Sequence, residues 1–437
     1  MSTASDPLHA LYLDEADVRG ELTRTFDVCT DCRRCVSLCA SFPTLFALVD
    51  PIADHDAGRL SPSQQNEIVD ACHHCSLCVI GCPAGAGLVE QPIDVPRLML
   101  RAKAMMLAAD QVGVGERIST QFIAHPDLVG RIASATAPTA NRLLAAKPRR
   151  VVRTIIAKTT GLSRTRQLPS FSEQRFSTWF KRRPKVRIGK RQGKVSLFPT
   201  CLVEYQQPAI GHDLVKVYER NGVEVSLSAG RCCGAPWLHS GDVAHFTKVA
   251  EENIAILAAE IRKGNDIVVP QPTCGLVLKQ DYIHYVLGSD AELVAEHTFD
   301  AAEYLMNLHR SGDSRLDTSF DGQVPTTITY HAPCHLRAQR IGLKSRDLMR
   351  LTGATIRLVQ QCSGVDGLVG LRGSADALAT PIGAKLGVEI QRFASDAIAG
   401  DCHLSNIVIT ERTGRIPQHP LQIIARAYGI AEEEPTR

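Results

Sequence analysis

Fifteen cysteines stand in this chain in four groups, with none left over. Cys29, Cys32, Cys35 and Cys39 form the first, and Cys72, Cys75, Cys78 and Cys82 the second. Both have the spacing C-x2-C-x2-C-x3-C, which lets successive thiolates converge on one cube of iron and sulfide. In tandem runs of this kind the fourth cysteine serves the other cube. The spacing therefore predicts one [4Fe-4S] cluster on Cys29, Cys32, Cys35 and Cys82, and another on Cys72, Cys75, Cys78 and Cys39. Pro83 follows Cys82 as the pattern expects, whereas Ala40 follows Cys39. Paired C-x2-C units also bind zinc, but two complete four-cysteine runs favour iron–sulfur and hence the movement of electrons.

The third group is Cys201, Cys232, Cys233 and Cys274, and the fourth is Cys334, Cys362 and Cys402. Adjacent thiolates such as Cys232-Cys233 suit neighbouring irons of an opened cluster better than one tetrahedral ion, and Gly234 permits the tight turn after them. A further iron–sulfur cluster is expected on the third group. The fourth group is thinner, because Cys362-Ser363-Gly364 stands where the third group has Cys-Cys-Gly. Its alternatives are a cluster with an open iron, a single metal ion supplemented by His331, His335, His403 or Asp366, or an empty relic.

These residues need elements to position them. Residues 7–27 carry apolar positions at helical spacing, and a second helix is expected over Arg97–Ala109. From Val195 the pattern alternates. Strands Val195–Pro199, Val223–Leu227 and Ile267–Val269 enclose helices Ile210–Asn221 and Val243–Lys263, an α/β unit with a parallel sheet. Residues 326–430 repeat it, with strands Thr327–Tyr330, Thr355–Val359 and Ile407–Thr410 and helices Ser345–Leu351 and Leu378–Ala399. Cysteine spacing repeats as well: 31 positions from Cys201 to Cys232 and 28 from Cys334 to Cys362. We read an internal duplication. The fold class expected is α + α/β: an N-terminal helical two-cluster ferredoxin domain (1–110), a basic helical linker (111–194), and two duplicated α/β domains (195–320 and 321–437).

The linker is the other unusual feature. Between Arg142 and Lys194 lie 17 Lys and Arg and one acid, Glu173, so a net +16 segment sits in a chain of net +3. Two of its expected helices, Val151–Lys158 and Phe171–Arg183, set aromatic or aliphatic residues beside cations, as interfacial helices do. The segment is expected to touch anionic lipid or an acidic partner, or simply to dock on the next domain; nucleic acid is the least supported, since no binding motif accompanies the charge. No apolar run of 18 residues exists, and Met1–Leu13 has no secretory pattern. Thiol-rich clusters without an export signal point to the cytoplasm, with peripheral contact on the inner face of the cell membrane as an extension of the basic segment. The glycines of 364–373 lack the G-x-G-x-x-G order, so no dinucleotide site is expected.

The pattern C…CCG…C resembles the cysteine-rich CCG domain of heterodisulfide reductases and related iron–sulfur oxidoreductases. That resemblance implies a four-iron cluster, often non-cubane, held by up to five cysteines per domain. This chain departs from it at Gln271 in Gln271-Pro272-Thr273-Cys274, where a cysteine is usual, and at Ser363 and Ser405 in the second copy. The whole order of parts is similar to two families, the C subunit of anaerobic glycerol-3-phosphate dehydrogenase and the iron–sulfur subunit of glycolate oxidase. It matches through Leu197-Phe198-Pro199-Thr200-Cys201, Arg231-Cys232-Cys233-Gly234-Ala235-Pro236 and His331-Ala332-Pro333-Cys334-His335. Pro96-Arg97-Leu98-Met99-Leu100-Arg101-Ala102-Lys103-Ala104 and Ser41-Phe42-Pro43-Thr44 resemble the rubrerythrin-associated iron–sulfur oxidoreductases more closely. The resemblance implies an electron-transfer subunit fed by a flavoprotein dehydrogenase and delivering to a quinone or protein acceptor. A self-contained heterodisulfide-type or peroxide-defence reductase with a rubrerythrin-like partner, and a redox-sensing metal-binding scaffold, are the rivals.

Overall fold

Asp14 starts the first helix, its side chain accepting from the Asp17 backbone N–H, so α1 runs Glu15–Cys32 rather than from residue 7; residues 7–13 form consecutive turns. An N-cap carboxylate satisfies an otherwise unpaired donor and sets the boundary. In this computed structural model the described residues are 6–37, 39–85, 88–145, 151–184, 186, 188–311, 316–365 and 369–432. Asp366, and the belt residues Lys147, Arg149, Arg150, Lys185 and Arg187, lie outside them.

Helices α2 (Ser41–Val49), α3 (Pro62–Asp70) and α4 (Val95–Ala108) pack with α1. Val18, Leu22, Phe26, Phe46, Val49, Ile68 and Met99 form their shared core, against which the cysteine runs rest. Four short helices follow: α5 (Val114–Ala124), α6 (Pro126–Ala135), α7 (Ala137–Leu144) and α8 (Val151–Thr160). Pro126 and Pro138 sit in the first turns of α6 and α7, where a missing N–H costs nothing. The aromatic helix α9 is shorter than expected, Phe176–Arg182.

Two parallel sheets follow. The first has the order β2-β1-β3-β4, from β1 (Gly193–Leu197), β2 (Val223–Leu227), β3 (Asp266–Val269) and β4 (Thr298–Asp300). The second has the order β6-β5-β7, from β5 (Thr327–His331), β6 (Thr355–Val359) and β7 (Ala397–Gly400). The first strand of each unit is central, with the second and third on either side. The register of β1 on β2, Gly193 to Val223 through Leu197 to Leu227, is matched by Thr327 to Thr355 through His331 to Val359. The fold is thus a helical ferredoxin-type region followed by two α/β units of one plan.

Two expected elements are corrected: the helix over Leu378–Ala399 ends at Gln391, and the strand over Ile407–Thr410 is helix. The third strand of the second unit is Ala397–Gly400, and Ile407–Thr410 lies inside the helix His403–Thr413. Short apolar runs do not distinguish buried helix from strand by periodicity. The Asn406 side chain also donates to the Gly400 carbonyl at 2.9 Å, fastening the helix to the strand before it. Among the described residues no helix is long and apolar enough to cross a membrane.

The parts are tied together closely. Arg101 of α4 is 1% exposed; its Nε donates to the Tyr12 carbonyl at 2.8 Å and its guanidinium pairs with Asp17 at 2.6 Å. Tyr12 in turn meets Tyr285 of the first α/β unit, hydroxyl to hydroxyl, at 3.4 Å. A Cβ on Gly241 would stand 2.5 Å from the Lys103 backbone, so α4 and the first unit touch at main-chain distance.

Candidate functional site

Each α/β cysteine follows a strand at its C-terminal end, the edge where parallel sheets place ligands. Cys201 follows β1, Cys232 and Cys233 follow β2, and Cys274 follows β3; Cys334, Cys362 and Cys402 follow β5, β6 and β7 in the same way. The loops that present them are strained. Thr200, just before Cys201, has φ +60°, and Arg33, His74 and Ser76 within the N-terminal runs have φ +50°, +44° and +56°. A β-branched residue in that region is unusual and persists only where its surroundings hold it. Gly234 has φ +88°, and a Cβ there would stand 2.9 Å from the Phe246 ring, so only glycine completes the Cys-Cys-Gly turn. Asn253 braces that turn, accepting from the Arg231 N–H at 2.9 Å and donating to the Cys232 carbonyl at 3.0 Å, while the Tyr282 hydroxyl donates to the Cys233 carbonyl at 3.0 Å. Nothing in the spacing of Asn253 or Tyr282 distinguishes them in the sequence from other core polar residues.

The thiols gather into sets. Cys29 stands with Cys35, Cys82 and Cys32, and burial followed by those neighbours pushes its pKa up to about 12. Cys39 stands with Cys72 rather than with its own run, and burial pushes it too up to about 12. Burial also raises Cys78, which feels Cys75, Cys72 and Cys39. Cys201, Cys232, Cys233 and Cys274 form a continuous hydrogen-bonded series in that order. Thiol–thiol contact and then burial hold Cys201 well above the ordinary thiol range. Burial raises Cys334, whose neighbours include Cys75, Cys362 and Cys402. All fifteen cysteines are free of disulfides. Thiols gathered in sets of three and four, on loops free of disulfides, fit a positively charged iron core, which takes them as thiolates on binding. The donor sets therefore suit iron–sulfur clusters.

The four sets are also neighbours. Cys39 feels the charge of Cys362, Cys334 that of Cys75, and Cys274 that of Cys402. The fourth group thus stands between the N-terminal runs and the third group. The helix bearing Cys334 carries His335, whose Nε2 donates to the His74 carbonyl at 3.0 Å while Nδ1 accepts from Thr273 Oγ1 at 2.8 Å. With both nitrogens engaged, His335 is a tie between three regions and not a spare ligand. His331 donates to the Gln361 carbonyl at 3.0 Å, and burial lowers both His331 and His403 to about 4, keeping them neutral. Among the described residues no three Cys, His, Asp or Glu side chains close round a single-ion position.

The departures from the five-cysteine pattern have partners of their own. Gln271 Nε2 donates to Cys402 Sγ at 3.4 Å, so the residue replacing a cysteine in the first unit reaches the equivalent cysteine of the second. Ser405 Oγ donates to Ser363 Oγ at 3.0 Å, so the two serine positions of the second unit satisfy each other.

The basic linker is only partly a free surface. Arg153 is 2% exposed and donates to the carbonyls of Ser163 and Arg166 at 2.6 and 2.8 Å. Arg166 is buried, donating to the Gly370 carbonyl at 3.3 Å, and Arg183 pairs with Glu219 at 2.7 Å and covers the Phe180 ring. Arg153 thus folds the linker on itself, while Arg166 and Arg183 hold it on the α/β units.

Comparison with known proteins agrees with this geometry. Residues 21–83 match the 4Fe-4S dicluster domain family, and residues 195–279 match the CCG cysteine-rich domain family. The chain is 27% identical over 309 residues to the C subunit of anaerobic glycerol-3-phosphate dehydrogenase from Escherichia coli, covering 70% of this chain and 76% of that protein. It is 28% identical over 255 residues to the B subunit of the fumarate reductase (CoM/CoB) of Methanothermobacter marburgensis, covering 55% of this chain and 48% of that protein. It is 34% identical over 152 residues to lactate utilization protein A of Bacillus pumilus, covering 33% and 58%.

Proposed function

We propose that this chain, an iron–sulfur electron-transfer subunit of the dehydrogenase and reductase kind with a 4Fe-4S dicluster domain and a CCG cysteine-rich domain, carries electrons from a partner flavoprotein dehydrogenase to a quinone or protein acceptor. Cys29, Cys32, Cys35 and Cys82 hold one [4Fe-4S] cluster in this reading, and Cys39, Cys72, Cys75 and Cys78 hold a second. Cys201, Cys232, Cys233 and Cys274 hold a further cluster, and Cys334, Cys362 and Cys402 form a site that a further cluster fills or that stands empty. Iron–sulfur clusters, when bound, exchange single electrons at potentials set by their surroundings.

The observation that carries the reading is the seating of the second α/β unit between the others: His335, next to Cys334, bonds the His74 carbonyl and Thr273 Oγ1, and Gln271 bonds Cys402 Sγ. It gives the second α/β unit an intermediate place between the dicluster domain and the CCG domain. Exposed Cys32 lies at one end of this arrangement. At the other end, Cys201 and Cys232 line a broad cleft with Arg131, Arg175, Lys181, Arg231 and Lys248, and with Asp127, Glu204 and Glu252. The excess of cations over acids in that cleft favours, as a second reading, a reductase that meets an anionic substrate or a rubrerythrin-like partner directly.

Iron, zinc and acid-labile sulfide per chain, with EPR of the anaerobically reduced protein, test the proposal. About twelve irons with matching sulfide are expected from three clusters of four, and more if the fourth group is filled. Zinc without sulfide overturns the reading. Cys334→Ser separates the two readings: it interrupts reduction of the Cys201 group through the dicluster domain if electrons pass through the second α/β unit, and leaves it intact if that group is served from the cleft.

A further inference from the structure

The start of α6 lies in the linker, outside both matched domains, and yet it touches the elements that carry the third cysteine group. Asp127 stands in the first turn of α6. One of its carboxylate oxygens accepts from the Cys232 N–H at 3.3 Å, and the other accepts from the Tyr205 hydroxyl at 3.1 Å. Tyr205 ends α10 (Thr200–Tyr205), the helix that carries Cys201. The ring of His125, just before α6, meets the Trp237 ring edge-on at 5.1 Å, and Trp237 follows the Cys-Cys-Gly turn.

This seat is built rather than incidental. Tyr205 is buried, and a Cβ on Gly130 would stand 2.5 Å from its ring, so a glycine in α6 lets the helix approach closely enough for Asp127 to reach the Cys232 main chain. The linker fastens α10 again further on. The Ser172 N–H donates to the Tyr205 carbonyl at 2.7 Å, and Ser177 donates to Glu204 through its N–H at 2.8 Å and its Oγ at 2.6 Å.

The electrostatic consequence has a definite sign. Donors around a cluster's sulfurs raise its reduction potential. The Cys232 N–H is committed to a carboxylate instead, so one donor is withdrawn and one negative charge is added next to a ligand. Cys201 feels that charge as well. Both donors to Asp127 are neutral; Arg131, one turn along α6, also feels Asp127, but it is exposed, and an exposed cation offsets a neighbouring charge only weakly. A reduced cluster carries one more negative charge than an oxidised one, so a fixed carboxylate disfavours reduction.

We propose that Asp127 is a positioning residue of the third cluster, supplied by the linker from outside the cysteine-rich domain, and that it holds the reduction potential of that cluster below the value its four cysteines alone would give. Asp127 acts through the Cys232 loop and through its charge, without ligating iron. The inference rests on the reading above that Cys201, Cys232, Cys233 and Cys274 hold a cluster.

The test is potentiometric EPR of the anaerobically purified full chain with its clusters. The third cluster's signal is the one that Cys233→Ser removes or alters. Asp127→Asn keeps the shape and removes the charge. It is expected to raise the reduced-to-oxidised ratio of that signal about tenfold at a fixed potential, a shift of about 59 mV for a one-electron couple, with the dicluster signals unmoved. Tyr205→Phe keeps the ring on Gly130 and the carboxylate in place, and takes away a donor that offsets the charge. It is expected to shift the same signal the opposite way, and by less. A contact that only holds the fold together does not move two variants in opposite directions. If Asp127→Asn loses the iron of the third cluster, Tyr205→Phe decides: a lowered potential supports the inference, and an unchanged or raised one overturns it. A third-cluster signal that ignores Asp127→Asn overturns the inference and leaves the cluster reading standing. A Cys233→Ser protein with the iron content and EPR signals of the parent removes that reading itself.

Discussion

Gln271 shows how much a single side chain can alter in a redox protein without joining its ligands. Its amide donates to Cys402 Sγ across the boundary between the two α/β units. Hydrogen bonds to sulfur stabilise the electron-rich state and raise the reduction potential. Gln271→Leu is therefore expected to lower the potential of a centre held by Cys402 by on the order of tens of millivolts, while leaving the dicluster signals in place. Potentiometric EPR checks this, and an unchanged titration would detach Gln271 from the centre. The sequence marks Gln271 as a missing cysteine; it carries no sign that the replacement would face Cys402, because that contact joins residues 131 positions apart. The same holds for Ser405 on Ser363. The cysteine runs, by contrast, are legible because their spacing is local and the chain between ligands has few ways to turn.

At the scale of elements, the repeated strand–cysteine plan is legible because each strand ends in a chemically marked residue. Its last strand, β7, is less so: Ala397–Gly400 is four small or aliphatic residues, while Ile407–Ile409 offers a stronger apolar run inside a helix. Helix α4 gives a further expectation. Arg101 is buried where it joins the turns at Tyr12 to α4 and pairs with Asp17. Arg101→Ala leaves Asp17 and main-chain carbonyls without their donor and is expected to cost about 3 kcal/mol of stability. Denaturant unfolding measures it, and a loss below about 0.5 kcal/mol would mean that the pairing contributes no more than a surface bridge. The linker helices are legible as amphipathic, but not the division of their cations. Arg153, Arg166 and Arg183 are spent on carbonyls or on Glu219, which only the packed chain reveals.

At the scale of the molecule, two buried carboxyls link the α/β units. Burial, followed by the neighbouring Asp401, raises Asp300 to about 7, and burial raises Asp401 to about 6. Asp401 accepts from the Tyr330 hydroxyl at 2.6 Å and from Ser345 Oγ. Both acids hold their protons to higher pH folded than unfolded. The stability they contribute is therefore full below the unfolded value near 4 and is lost as pH rises through about 6 to 7. Asp300→Asn keeps the cap on Ala302 and Glu303 and removes one titration. It is expected to flatten the fall in stability between about pH 4 and 7 by on the order of 1 kcal/mol per pH unit. Thermal unfolding across that range is the measurement; parallel curves for the two proteins would contradict it.

The seating of the Cys334 helix on the second cysteine run also orders events in time. Cys75 is buried, His335 is fastened to the His74 carbonyl, and Arg340 donates to the Val79 carbonyl at 3.2 Å. The covering residues leave the ribosome roughly 260 positions after those they cover. A nascent chain thus lacks the cover of Cys72, Cys75 and Cys78 throughout the synthesis of the first α/β unit, and the finished chain closes over Cys75. If that run holds a cluster as proposed, delivery of iron and sulfide to it belongs to the interval before closure, and maturation becomes a matter of sequence in time as well as of affinity.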